Sequence, residues 1–238
     1  TDVGKPSSPK IDVQEIFVKS SNIGMAKIAL DLGKEKQIEY LKKLGLLSPL
    51  QVEIPEKSYP ISPKYWNESN LITISYGYGI AVTPMHVAQA VSAIINGGSM
   101  KFASFVMGKN IKGENVISQD TSYKLGKMLR MVVKNGTGKK ADIDGYSVGG
   151  KTGSAEKIID GKYNKKANIA SFVGVFPMTN PRYVVLAILD EPQHTKRSPG
   201  GEVAAPLVGD IISKIAHLLN VPPEKRSEEH TSELQSRQ

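Results

Sequence analysis

Cysteine is absent from this 238-residue sequence, and its absence excludes three kinds of chemistry together. The chain can form no disulfide framework, no thiolate nucleophile and no cysteine-ligated zinc site. The four histidines, at 86, 194, 217 and 230, do not have the H-x-x-x-H or H-E-x-x-H spacing of zinc hydrolases. We therefore expect neither a metal nor another cofactor.

A long apolar run is also missing. The longest strongly apolar stretch, 183–189, is far shorter than the roughly 20 residues that a membrane-spanning helix needs. Residues 1–10 are polar and rich in proline and serine, which is not the pattern of a signal peptide. Because 39% of the residues are hydrophobic, the chain can form one sizeable core, and we expect one globular domain or at most two.

The net charge of +8 raises the question of an anionic partner. The lysines occur as isolated pairs, at 42–43, 139–140 and 165–166, without the interleaved aromatic residues of a base-stacking surface. This distribution is typical of a solvated basic surface. We expect no nucleic-acid partner.

Hydrophobic periodicity predicts several helices and a three-stranded antiparallel meander. The segment 46–70 contains four prolines and no sustained period, so it is predicted to be a loop. Helices are predicted at 12–28 with a break near 20–22, at 34–44, 84–95, 118–134 and 203–220, and strands of a three-stranded meander at 148–159, 168–176 and 182–190.

The triplet Lys151-Thr152-Gly153 lies on the first predicted strand and is followed by Ser154. A strand that carries a cation, hydroxyls at alternate positions and a glycine can bind a carboxylate along its edge. A second triplet, Ser20-Ser21-Asn22, interrupts the first predicted helix. A serine cluster that satisfies nearby backbone groups would explain that triplet alone, but penicillin-binding proteins and class A β-lactamases combine such a triplet with K-T-G in this order.

Five blocks of sequence extend the pattern beyond the two triplets: KSSNIGMAKIA, YGYGIAVTPMHVAQA, GGKTGSAEK, ASFVGVFP and GGEVAAPL. With these blocks, about residues 1–222 resemble the division-specific class B penicillin-binding proteins, which are peptidoglycan D,D-transpeptidases. That resemblance implies an α+β fold in which an antiparallel sheet is flanked by helices. It also implies a serine acyl-enzyme that cross-links stem peptides ending in D-Ala-D-Ala and is blocked by β-lactam antibiotics.

The resemblance also implies roles for individual residues. Ser20 would relay a proton to the leaving group, and Asn22 would donate a hydrogen bond to the acyl side of the substrate. Lys151 would anchor the terminal carboxylate and favour deprotonation of Ser20.

On the K-T-G strand, Thr152 and Ser154 would donate their hydroxyls to the same carboxylate. Gly153 would keep the approach to the strand clear. The backbone N–H of Ser154 would be one of two donors to the oxyanion, and the nucleophile would supply the other.

The nucleophile of this family lies in an S-x-x-K motif upstream of the serine-to-asparagine triplet. The only upstream match runs from Ser7 to Lys10, and Pro9 would disrupt the helix that such a pair needs. We therefore expect the nucleophile helix and the first strands of the sheet to be missing from this chain. The tail at 223–238 is expected to be disordered and resembles foreign sequence, which leaves a partial transpeptidase domain at 1–222.

Alternative functions that share the two triplets are a serine β-lactamase and a β-lactam-sensing receptor domain, and an elongation role remains open beside the division role. The resemblance implies a location on the outer face of the bacterial cytoplasmic membrane, with an anchoring helix outside this chain. It also implies contacts between division-machinery membrane proteins and regions that this chain lacks.

Overall fold

Five of the seven α-helices lie in the first half of the chain, within the residues that the computed structural model describes: 10–109, 111–192 and 199–224. Among the described residues, no helix combines the length and the apolarity needed to cross a bilayer. The helices are α1 (Val13–Lys19), α2 (Asn22–Leu32), α3 (Lys34–Lys43), α4 (Glu68–Ser75), α5 (Pro84–Ile95), α6 (Gln119–Asn135) and α7 (Gly200–Ile215).

The main sheet is an antiparallel meander with the strand order β3-β4-β5, as the sequence predicted. A separate short hairpin, which the sequence analysis missed, pairs two-residue strands. The strands are β1 (Ser99–Met100), β2 (Glu114–Asn115), β3 (Gly149–Ile159), β4 (Lys162–Phe176) and β5 (Tyr183–Asp190).

Strand β4 begins at Lys162, so the predicted start at 168 was wrong. Asp160 and Gly161 both have positive φ, at 51° and 74°, which is the geometry of a tight two-residue hairpin. The strand therefore continues directly out of the turn. Its first residues are polar, so hydrophobic alternation could not reveal them.

Helix starts follow their capping residues. The Asp12 carboxylate accepts from the Glu15 backbone N–H at 2.7 Å, and the Thr83 and Ser118 hydroxyls cap α5 and α6 in the same way. The predicted loop at 46–70 was wrong at its end, because Asn67 opens α4 with a capping box and the loop stops there.

The closing helix α7 begins at Gly200 and ends at Ile215, so both predicted limits, 203 and 220, were wrong. It packs on the meander, and the two together form the main core. The largest fully buried side chains in this core include Phe172 and Phe176 of β4 and Ile212 of α7.

Glycines allow β3 to lie directly over this core. A Cβ added at Gly150 would lie 2.4 Å from Phe172 Cζ, and one added at Gly138 would lie 2.8 Å from Phe172 Cε2. Neither position can hold a larger residue without displacing the ring. The core therefore fixes the position of the strand that carries Lys151.

The end of α1 is held against the end of α6. A Cβ added at Gly136 would lie 2.5 Å from the Val18 backbone oxygen, so the two backbones are in close contact there. A Cβ added at Gly24 would lie 2.6 Å from Ile16 Cγ1, which shows equally close packing of α1 on α2. These contacts place the junction of α1 and α2 opposite β3.

Candidate active site

The junction between α1 and α2 is a sharp turn made by two serines. Ser20 is the C-cap of α1 and has a left-handed backbone, with φ 56° and ψ 49°. Ser21 is the N-cap of α2, and its hydroxyl accepts from the Gly24 N–H at 3.0 Å. Because a left-handed non-glycine residue costs about 1–2 kcal/mol, this turn needs the surrounding packing to hold it. It directs the exposed Ser20 side chain toward β3.

Lys151 of β3 meets Ser20 across this gap. Its Nζ donates to Ser20 Oγ at 2.8 Å, which joins residues 131 positions apart in the sequence. The ammonium also lies 5.9 Å from the centre of the Phe17 ring and 3.4 Å from the Thr152 backbone oxygen. The structure thus brings together the cation and the hydroxyl that the two triplets supply.

Burial lowers the pKa of Lys151 from its ordinary 10.5 to about 8. No carboxylate of the described residues forms a salt bridge with this lysine, so nothing offsets the loss of hydration. Lys157, further along the same strand, is different: hydrogen bonds from its Nζ to Glu191 and Asp190 raise its pKa. Lys151 is therefore a half-buried cation without a counter-ion, and a ligand carboxylate could fill that role.

The hydroxyls of Thr152 and Ser154 are held by two other segments. Thr152 Oγ1 lies 2.8 Å from Thr137 Oγ1, in the loop after α6. Ser154 Oγ accepts from the Gly200 N–H, at the start of α7, at 2.9 Å. Because the Ser154 oxygen already accepts a hydrogen bond, its own hydrogen stays available for a ligand oxygen.

Gly153 and Gly200 are required by close packing. A Cβ at Gly153 would lie 2.4 Å from Ser171 Oγ, and a Cβ at Gly200 would lie 2.2 Å from the Ser171 backbone oxygen. The space beside Gly153 is thus filled by β4. This gives a structural reason for that glycine beyond the clear ligand path that the sequence analysis expected.

Asn22 is the first residue of α2 and is half-buried. Within the described ranges, no hydrogen bond of its side chain is present, so its amide is available to a ligand.

Thr137, Gly200 and Tyr78 also contact the K-T-G strand, and sequence reasoning did not single them out. The YGYG motif at 76–79 and the Gly200-Gly201 pair indicated turns at two of these residues, but they did not predict which residues the turns contact.

The sequence contains two S-x-x-K patterns, and either could in principle supply the nucleophile. Ser7, at the start of the first pattern, lies outside the described residues. The second pattern runs from Ser154 to Lys157 on β3, where residues three apart point to opposite faces of the strand. Lys157 instead contacts Asp190 and Glu191, so it cannot activate Ser154.

The lowered pKa of Lys151 predicts a pH-dependent stability. Between pH about 8 and 10.5 the unfolded chain keeps a proton that folded Lys151 has released, so the free energy of unfolding should rise with pH in that window. Denaturant unfolding of the wild type and of Lys151→Met is measured at pH 7.5 and at pH 10. Between the two pH values, the free energy of unfolding of the wild type should increase relative to that of the variant. Lys157→Met is the control, because the raised pKa of Lys157 gives no such gain. An equal pH response of wild type and Lys151→Met would contradict the lowered pKa.

The sequence matches the family model for the penicillin-binding protein transpeptidase domain over residues 1–213. The chain therefore belongs to the penicillin-binding protein transpeptidase domain family. Among curated proteins it is 37% identical to the probable peptidoglycan D,D-transpeptidase FtsI of Caulobacter vibrioides, over 89% of this chain and 38% of that protein. It is 35% identical to stage V sporulation protein D of Bacillus subtilis, over 89% of this chain and 35% of that protein.

Solved structures give the same assignment. The apo transpeptidase domain of Burkholderia pseudomallei penicillin-binding protein 3 is 36% identical, with a TM-score of 0.82 over 90% of this chain and 66% of that chain. Mycobacterium tuberculosis penicillin-binding protein 3 in complex with ampicillin is 28% identical, with a TM-score of 0.81 over 94% of this chain and 54% of that chain. The predicted α+β fold and the predicted family are thus confirmed. The chain spans only 35–38% of the length of the two curated relatives named above.

Proposed function

We propose that this chain is part of a peptidoglycan D,D-transpeptidase that cross-links stem peptides through a serine acyl-enzyme during septal wall synthesis. The observation that carries the proposal is the 2.8 Å contact between Lys151 Nζ and Ser20 Oγ at the edge of the sheet. The name of the Caulobacter vibrioides relative supports the reaction. The name of the Bacillus subtilis relative places a similar domain in sporulation, so the septal role rests on the division-type relatives.

In the proposed reaction, the nucleophilic serine gives its hydroxyl proton to the lysine of its S-x-x-K motif, and its oxygen forms a bond to the carbonyl carbon of the penultimate D-alanine. The bond from that carbon to the terminal nitrogen breaks, and D-alanine leaves after its nitrogen gains a proton through Ser20. The proton taken from the nucleophile restores the hydroxyl of Ser20, and an amine of a neighbouring stem peptide then takes the acyl group and frees the serine. Protonated Lys151 donates to Ser20 Oγ, which leaves the hydrogen of Ser20 free to pass to that nitrogen. The positive charge of Lys151 also stabilises the serine oxygen after it has given up its proton.

The substrate carboxylate would lie beside Lys151 and accept from the hydroxyls of Thr152 and Ser154. The Ser154 backbone N–H would donate to the oxyanion, and the amide of Asn22 would donate to the acyl side. Gly153 keeps β3 in close contact with β4 beneath this site. Each of these roles is one that the position of the residue allows.

The same proposal covers partners and location. Stem peptides ending in D-Ala-D-Ala and β-lactams would be the ligands, and ampicillin is bound to the related Mycobacterium tuberculosis protein. Peptidoglycan substrate lies on the outer face of the cytoplasmic membrane, so the domain would work there. Division-machinery membrane proteins would contact parts of the protein outside this chain.

Intact mass after incubation with benzylpenicillin tests the proposal. Two proteins are compared: this chain as it stands, and the chain extended upstream to the start of its reading frame. We expect an adduct of one penicillin mass on the extended protein alone, and a long-lived adduct would speak against a β-lactamase. An adduct on the shorter chain would assign the nucleophile to a serine within it. No adduct on either protein would overturn the transpeptidase proposal.

A further inference from the structure

The outer edge of β3 is occupied at one point by a tyrosine hydroxyl from a distant loop. The Glu156 backbone N–H donates to Tyr78 Oη at 3.1 Å. Strand β3 lies at one side of the sheet, and among the described strands only β4 pairs with it. Tyr78 thus takes a backbone donor that an added strand could otherwise use.

The position of this bond shows which backbone groups face the free edge. In a regular antiparallel ladder, residues two apart point their N–H and C=O groups the same way. The ladder of β3 with β4 is regular as far as Glu156, and its register shifts between Glu156 and Lys157. Since the Glu156 N–H faces outward, the backbone groups of Thr152 and Ser154 face outward as well.

A peptide bound as proposed above would run along this edge in a fixed direction. Its carboxylate would lie near Thr152 and its scissile carbonyl near the Ser154 N–H. The peptide must then run antiparallel to β3, with its acyl side extending toward Glu156. The next outward donor that this acyl side would meet is the N–H that Tyr78 already holds.

Tyr78 is firmly placed for this task. Its ring makes edge contacts with Tyr163 of β4 at 5.1 Å and with Tyr76 at 6.1 Å between ring centres. Its backbone N–H donates to the Thr73 oxygen at 3.0 Å. Gly77 and Gly79 on either side have φ of 97° and 80°, which lets the loop turn sharply around the tyrosine.

We propose that Tyr78 is a specificity-determining residue that closes the substrate-binding edge of β3 at Glu156 and limits how far the acyl chain can pair with the strand. The inference rests on the proposed transpeptidase function. The edge then offers free backbone N–H donors to a substrate at Thr152 and Ser154 but not at Glu156. Ligands longer than this segment gain no further N–H donor at Glu156.

The experiment compares the wild type with two variants in the protein extended upstream to the start of its reading frame: Tyr78→Phe removes only the hydroxyl, and Tyr78→Ala also removes the ring that covers the edge. Two thioester substrates are used, a short acyl-D-alanine thioester and the same thioester lengthened by two stem-peptide residues. Tyr78→Ala should raise kcat/KM for the long thioester about fivefold to tenfold, the value of one additional net hydrogen bond. The short thioester and benzylpenicillin should change less than about twofold, because neither reaches Glu156.

Tyr163→Phe is the matched control. It removes a neighbouring hydroxyl that bonds no described residue and leaves the strand edge untouched, so it should alter neither substrate. Amide hydrogen exchange on the chain supplies a readout that needs no activity: the Glu156 amide should exchange about tenfold faster in Tyr78→Phe.

Unchanged exchange at Glu156 would show that the hydroxyl does not hold this N–H and would overturn the inference. Faster exchange without a gain for the long thioester would also overturn it, since the edge would then be open and unused. If the wild type is not acylated even by benzylpenicillin, the proposed function fails first, and the limit on substrate length fails with it.

Discussion

Lys151→Met should reduce the rate constant for acylation by benzylpenicillin about 10³-fold in the protein extended upstream, without loss of folding stability. The ammonium is the only group that donates to Ser20 Oγ in the described structure, and it is the cation available to a ligand carboxylate. Removing it deprives the site of both interactions. Removing one group that stabilises charge in a transition state commonly lowers the rate constant by about 10²–10³-fold.

The stability of Lys151→Met should equal or exceed that of the wild type, although its acylation is slower. Burial without a counter-ion lowers the pKa of Lys151 to about 8, so at neutral pH the folded state holds a charge in an unfavourable environment. Methionine keeps most of the side-chain volume and removes this charge. Thermal unfolding at pH 7 should therefore show a melting temperature equal to or above that of the wild type.

Lys151→Arg separates charge from geometry. Arginine keeps the positive charge at every accessible pH but cannot place a single nitrogen where Nζ lies, so acylation should recover only in part. A Lys151→Met variant that acylates within tenfold of the wild type would contradict the role proposed for this lysine. Loss of acylation accompanied by a lower melting temperature would show that the substitution acts through folding.

Phe172→Ala should lower the free energy of unfolding by about 3–5 kcal/mol, a large part of the stability of a typical domain. The Phe172 side chain is fully buried between β3 and α7. The residues at 150 and 138, whose backbones come close to its ring, are glycines, so neither has a side chain that could move into the space that alanine would leave. The resulting cavity would lie directly beneath the strand that carries Lys151.

Urea unfolding measures the loss, with an unchanged denaturant slope as the sign that the folded and unfolded states are otherwise the same. Phe172→Leu is the control, because it keeps much of the volume and should cost clearly less. Both variants leave Lys151, Ser20 and Ser154 unchanged. A loss below about 1 kcal/mol for Phe172→Ala would contradict the placement of this ring at the centre of the core.

Local sequence signals predicted the parts of the fold that depend on neighbouring residues. Asp12, Thr83 and Ser118 cap helices whose starts the sequence predicted near 12, 84 and 118, because each cap bonds a backbone N–H within three residues. The turn at Asp160 and Gly161 lies between the first two predicted strands. The polar start of β4 and the short helix α4 were missed, since neither shows a sustained apolar period.

The family, the meander and the residues of the two triplets could be assigned from the order of the amino acids alone. The contact between Lys151 and Ser20, the lowered pKa of this lysine and the bonds that hold the K-T-G strand could not, because they arise only in the folded chain. The two groups of features differ in the sequence distance over which their interactions act. Periodicity and capping act within a few residues, whereas these contacts join segments far apart in the chain and depend on how the helices pack around the sheet.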